Sequence, residues 1–208
     1  MRNSKVIYAC LFLALLACNN NPGKNKVEKI DYIVREAFED KEFIGNVLVA
    51  DQGEVIYNKS FGNSDHLRNI PTVDTTKFLV GSISKPITAI LILRLVDKGV
   101  IRLNDQVGHY FAEVKSPIGN ITIHHLLTHT SGINEILTEE KNMDIVTLLG
   151  SAKLSFKPGS EFEYSNSGYV ILKEIAEIAT QKDFDRLVTE EVFSPANMSS
   201  SGVGRNSS

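Results

Sequence analysis

The chain is nearly free of cysteine. Cys10 and Cys18 are its only two, and both fall in the first eighteen of 208 residues. The rest of the chain can form no internal disulfide, so its stability must come from packing. A membrane-crossing helix needs about 20 apolar residues, and the uncharged run at residues 6–17 is only twelve long. Cationic blocks are missing too. The 22 Lys and Arg are balanced by 25 Asp and Glu, for a formal charge of −3. Phosphate binding needs clustered cations, so nucleic acid is excluded as a partner. No internal repeat is present. What remains is ordinary globular material, 42% hydrophobic and 23% charged, long enough for one domain with a proper core.

The first residues differ in kind. Arg2 and Lys5 precede the uncharged run, which ends Leu15-Leu16-Ala17-Cys18 and meets Asn19-Asn20-Asn21-Pro22-Gly23-Lys24. That order fits a secretory signal, and a small residue before a cysteine there resembles the bacterial lipobox. The resemblance implies cleavage before Cys18 and lipidation of its sulfur. Residues 1–17 would be removed, taking two cations and moving the formal charge from −3 to −5. Residues 18–27 read as a flexible tether holding the folded part, residues 28–208, at the membrane. The implied location is exported and lipid-anchored, on the periplasmic or cell-surface side of a bacterial membrane.

Hydrophobic period then sets the elements. Val27, Ile30, Ile33, Val34 and Phe38 have the spacing of a helix with one buried face. Residues 46–50 and 54–58, around Asp51-Gln52-Gly53, predict a β-hairpin. Residues 82–98 are helical in pattern and apolar nearly all round, which predicts a helix buried in the middle of a domain. Gly99 stops it, and Pro86 falls in its first turn, where a missing N–H costs least. Thr122 is placed to cap a short helix over 123–130, closed by Gly132. Further helices are predicted over 167–180 and 184–193. The Ser- and Gly-rich tail, 199–208, predicts no structure of its own.

The chemistry sits in Ser82-Ile83-Ser84-Lys85. Residues three apart on a helix share a face, about 5–6 Å between Cβ atoms, so Lys85 can reach the Ser82 hydroxyl. A serine is a poor nucleophile until a base takes its proton. Burial in an apolar helix and the positive helix N-terminus favour a neutral lysine able to do so. The second piece is Tyr164-Ser165-Asn166. A phenol beside a cationic lysine shifts toward phenolate and can share the proton work. Asn166 offers a donor and an acceptor, suited to a substrate amide. Each piece alone also fits a capping serine or a half-buried tyrosine.

Order and context join them. The stretches 78–86, 95–99, 103–105, 126–133, 158–159, 164–169 and 193–195 with Met198 follow one another as in a known group. Over residues 28–200 the chain resembles the serine β-lactamase and DD-peptidase superfamily, in particular its class C β-lactamase-related serine hydrolase branch. The resemblance implies an α+β fold, an antiparallel sheet with flanking helices beside a mostly helical lobe, with Ser82 in the cleft. It implies that Ser82 is acylated, that Lys85 and Tyr164 share acid and base duties, and that Asn166 holds the substrate. It assigns one oxyanion donor to the Ser82 N–H and calls for no cofactor. Substrates implied are an amide or ester: a β-lactam, a D-amino peptide or an ester, with peptidoglycan a possible partner. The alternative is a non-catalytic or decayed penicillin- or peptidoglycan-binding fragment.

One motif of that group does not appear. A Lys or His, any residue, then Gly is expected on a strand after Tyr164. Lys157-Pro158-Gly159 fits the letters but precedes the tyrosine and contains proline. The expectation is a C-terminally truncated chain with an incomplete sheet and poor stability or activity by itself. His125 and His129, i and i+4, have zinc-like spacing, but no matching carboxylate follows. They read as histidines satisfying nearby backbone groups, with no metal.

Overall fold

The chain divides into two units, one ending at Phe78 and one beginning at Leu79. The computed structural model describes residues 22–135 and 144–204. The signal segment, Cys18 and the first part of the tether lie outside the described residues.

In the first unit, α1 runs Pro22–Glu39. Residues 22–27 therefore belong to a helix, where composition predicts a tether. Pro22 occupies its first position, where the fixed φ of proline favours helix and its missing N–H costs nothing. The hairpin forms as expected, from β1 (Gly45–Asp51) and β2 (Glu54–Phe61), antiparallel with Val49 opposite Tyr57. Tyr57 and Phe61 are buried, and Phe38 and Phe43 pack their rings on Phe61. Asp31 ties α1 to β2, accepting from the Tyr57 hydroxyl at 2.9 Å and Lys59 Nζ at 2.7 Å. A second, short pair follows, β3 (Asn63–Asp65) and β4 (Ile70–Pro71).

The second unit holds the main core. A single 3-10 turn, Gly81–Ile83, leads into α2 (Ser84–Asp97). Then come α3 (Val107–Tyr110), α4 (Ile123–Leu127), α5 (Ile145–Ser151), α6 (Asn166–Thr180) and α7 (Phe184–Val188), which continues as a π turn, Thr189–Phe193. Leu91, Ile92 and Leu95 of α2 meet Ile171, Leu172 and Ile175 of α6, with Ile123 and Leu126 of α4 in the same cluster. Each such side chain contributes about 1.5–3 kcal/mol on burial. Thr122 caps α4 as expected: its hydroxyl accepts the His125 N–H, and His125 Nδ1 accepts the Thr122 N–H.

The prediction that α2 is buried all round is corrected. Thr88, Leu91, Ile92 and Leu95 are buried, but Ile83 is 64% exposed and Ile90 and Leu93 are nearly half exposed. An all-apolar pattern states that both faces can be covered. It does not state which face the rest of the chain covers.

Gly132 fixes the path between α4 and the site. Its φ is +70°, and a Cβ there would stand 2.3 Å from the Phe156 carbonyl oxygen. Only glycine allows the strands of chain at Ile133 and Leu154 to pair behind it.

Candidate active site

Ser82 stands on the 3-10 turn before α2. Gly81, with φ +52° and open space around a notional Cβ, turns the chain into it. One turn on, Lys85 Nζ donates to Ser82 Oγ at 3.3 Å. The three-residue spacing thus brings the pair together as predicted. Lys85 is only half-buried, however, and its amine also donates to Asn166 Oδ1 at 2.7 Å. Burial, one of the two parts of the sequence argument for a neutral lysine, is thus incomplete.

Tyr164 arrives on extended chain ahead of α6. Ser165 is the N-cap of that helix, its hydroxyl accepting the Gly168 N–H at 3.1 Å. This cap aims the residues on either side of it. The Tyr164 hydroxyl lies 2.7 Å from Ser82 Oγ, and Asn166 opens the helix facing Lys85. Lys85 Nζ also stands 4.7 Å from the centre of the Tyr164 ring and 5.7 Å from that of Tyr169. The four predicted residues therefore converge, from two segments some eighty residues apart. Three of them, Ser82, Lys85 and Asn166, line an open cleft of about 430 Å³ together with Thr88, Val170 and Phe184.

The electrostatics follow from these contacts. Lys85 and the Ser82 hydroxyl pull the Tyr164 phenol below its ordinary ionisation, against burial and the Glu135 carboxylate. A lowered phenol beside a serine hydroxyl is a proton acceptor in place.

Two residues of this site lie outside the predicted set. Glu135 accepts the Asn166 N–H at 3.1 Å and bonds the Ser167 hydroxyl, putting a carboxylate on the first turn of α6. His129 stacks on Tyr164, ring centres 4.7 Å apart, and its Nδ1 accepts the Ser165 N–H at 3.1 Å. Both reach the site across more than thirty residues of sequence: no local pattern marks Glu135, and His129 reads in the sequence only as a histidine satisfying a backbone group, which it does at Ser165. His125 is occupied with its helix cap. Among the described residues no group of three His, Cys, Asp or Glu is placed to hold a metal ion. Lys157-Pro158-Gly159 sits on a loop whose Gly159 N–H donates to the Thr130 carbonyl.

Residues 30–208 match the family model described as Beta-lactamase. The chain belongs to the beta-lactamase family. It is 32% identical over 192 residues to penicillin-binding protein 4* of Bacillus subtilis (strain 168), covering 86% of this chain and 42% of that protein. It is 29% identical to protein flp of Staphylococcus aureus (strain MRSA252), covering 86% of this chain and 38% of that one. Among solved structures, the penicillin binding protein from Bacillus halodurans matches with a TM-score of 0.72 at 28% identity, over 84% of this chain and 58% of that chain. The chain thus spans less than half the length of these two curated relatives. The expected fold holds: a β-lactamase-like α+β mix of helices and a few antiparallel strands, with a small, incomplete sheet. Membership supports a serine hydrolase in general.

Proposed function

We propose that the chain is a serine hydrolase acting through an acyl-enzyme on Ser82, with Tyr164 as the base. The observation that carries this is the 2.7 Å contact between the Ser82 and Tyr164 oxygens. Lys85 Nζ lies farther from Ser82, at 3.3 Å, and already donates to Asn166. It supports the reaction by lowering the phenol.

Ser82 Oγ attacks a substrate carbonyl while its proton passes to the Tyr164 oxygen. The carbonyl carbon then breaks its bond to nitrogen or oxygen, and Tyr164 returns the proton to the leaving group. The acyl group remains as an ester on Ser82 until water cleaves it to the acid. Because Asn166 Oδ1 is held by Lys85, its NH2 is left to donate to the substrate. A backbone N–H at Ser82 serves as an oxyanion donor.

The substrate class is an acylating amide or ester: a β-lactam, a D-amino peptide or an ester. The names of the penicillin-binding relatives favour β-lactams. Within this proposal the protein is exported and held by lipid on Cys18, which brings peptidoglycan into reach.

The test is the intact mass of the chain after incubation with a fluorescent penicillin, beside Ser82→Ala. One covalent adduct on the parent and none on the control is expected. A folded parent with no adduct overturns the penicillin-reactive form of the proposal, and a chromogenic ester then tests the remainder. An adduct that never clears identifies binding without turnover.

A further inference from the structure

His129 belongs to no step of the proposed reaction, yet its ring is stacked on that of Tyr164. Its ring lies over the phenol at 4.7 Å with 28° between planes. It also meets Tyr169 at 5.2 Å and Phe162 at 5.9 Å. The backbone there is strained, with φ +58°, in the left-handed region that a non-glycine residue enters only when its surroundings hold it. The holding contacts are visible. The Glu163 N–H donates to the His129 carbonyl at 2.9 Å, and the Gly159 N–H donates to that of Thr130 at 2.8 Å.

The hydrogen bond to Ser165 fixes the protonation state. An amide N–H can only donate, so His129 Nδ1 must present a lone pair. The ring proton is therefore on Nε2, and the imidazole is neutral. Ser165 is the N-cap that aims Tyr164 on one side and Asn166 on the other. Adding a proton to Nδ1 would set two donors against each other at 3.1 Å.

We propose that His129 is a positioning residue for Tyr164 and a proton-sensitive latch on the site. As neutral imidazole it accepts from Ser165 and supports the phenol ring; as imidazolium it releases Ser165 and lets Tyr164 leave Ser82. This deepens, and rests on, the reading of Tyr164 as the base.

The charged and titratable groups around the ring are few. Lys85 of α2 stands across the Tyr164 ring, and Tyr169 comes from α6. Glu163 lies on the loop, and Glu135 is beyond Asn166. His125, one turn back in α4, is held by Thr122. Burial and then the Lys85 charge keep the His129 ring below its ordinary ionisation. The latch is accordingly closed at neutral pH and opens on the acid side of the usual histidine range.

The test is an NMR titration of the full chain carrying 15N-labelled histidine and serine and 13C-labelled tyrosine. It needs no variant and no substrate. At neutral pH His129 should show the Nε2–H tautomer. On acidification the Ser165 amide and Tyr164 ring signals should move with the same midpoint as the His129 ring. Signals of Ser165 and Tyr164 that stay unmoved through that midpoint overturn the proposal, as does an Nδ1–H tautomer. His129→Asn supplies a second arm. Asparagine tolerates the left-handed backbone and can still accept from Ser165, but it does not titrate. In the parent, the logarithm of the acylation rate should steepen from one to two decades per pH unit below the His129 midpoint. The variant should keep a slope of one, and a slope of two in the variant overturns the proposal. Absence of acylation at every pH overturns the hydrolase reading instead, and the NMR titration still decides the role of His129.

Discussion

Replacing Tyr164 by phenylalanine removes one oxygen and little else. The ring stays, and with it the His129 stack and the Lys85 contact, both at 4.7 Å. What goes is the acceptor 2.7 Å from Ser82 Oγ. The next polar side-chain atom is Lys85 Nζ at 3.3 Å, which donates to Ser82 and, at 2.7 Å, to Asn166. Positioned general bases contribute about 10²–10⁴ in rate, or about 3–5 kcal/mol of barrier at 1.36 kcal/mol per decade. With its substitute both farther away and engaged, the variant should lose about 10³-fold in the acylation step. The assay is stopped-flow acylation by a chromogenic β-lactam or ester, followed across pH. In the proposed mechanism the active form is the phenolate, so the parent rate should rise with pH and level off at the Tyr164 ionisation. That plateau should begin below the ordinary tyrosine value of 10.0, because Lys85 and Ser82 lower the phenol. Lys85→Met removes the larger of these influences and should move the rise to higher pH. An acylation rate in Tyr164→Phe equal to that of the parent would refute the assignment and return the base role to Lys85.

Two further outcomes concern stability. Gly132→Ala should be far more damaging than Gly81→Ala, although both sites have positive φ. The first adds a clash at 2.3 Å with the Phe156 carbonyl oxygen, while the second meets nothing within 4 Å and should cost about 1–2 kcal/mol from its backbone alone. Urea denaturation measures both, and equal losses would contradict the difference. Glu191, 12% exposed, clamps Arg94 of α2 and Lys98, the residue just after that helix, to the π turn after α7. Its cationic partners are half exposed, so Glu191→Gln should cost about 1–2 kcal/mol, between the values for surface and buried pairs. Lys98 and then Arg94 hold its carboxyl below the ordinary range. The stabilisation is therefore complete above the unfolded-state pKa and is lost as pH falls through the lowered one. The parent and variant should differ at neutral pH and converge in acid; a gap that widens in acid would reverse the sign.

The parts of the fold written in local chemistry were legible. The hairpin follows from two short apolar runs around Gln52-Gly53, and α6 from Val170, Ile171, Ile175 and Ile178 spaced at helical period. The Thr122 cap is a local hydrogen bond, so four residues suffice to predict it. The shortest elements were not legible, because one or two turns are too few to show a helical period. α3 has four residues, and α5 begins at Ile145 after an Asp144 cap that accepts from Thr147. The start of α1 was misplaced because Asn, Pro, Gly and Lys suit a linker by composition, whereas Pro22 at the first helical position starts a helix.

The candidate site divides along the same line. Ser82 and Lys85 are three residues apart on one helix, so their meeting is a matter of backbone geometry. Tyr164 and Asn166 reach them only because α6 buries Ile171, Leu172 and Ile175 beside α2, and because Ser165 caps α6 at that height. The cap is in turn held from behind. His129 grips the Ser165 N–H, and Glu135 grips the N–H of the next residue. These two come from the chain on either side of Gly132, whose conformation lets that chain turn under the α6 N-terminus. The proposed proton acceptor, Tyr164, is thus positioned by a glycine, an imidazole and a carboxylate that have no part in the proposed bond making. A mutation in the Gly132 turn should therefore lower the acylation rate through Tyr164, with Ser82 and Lys85 still in contact.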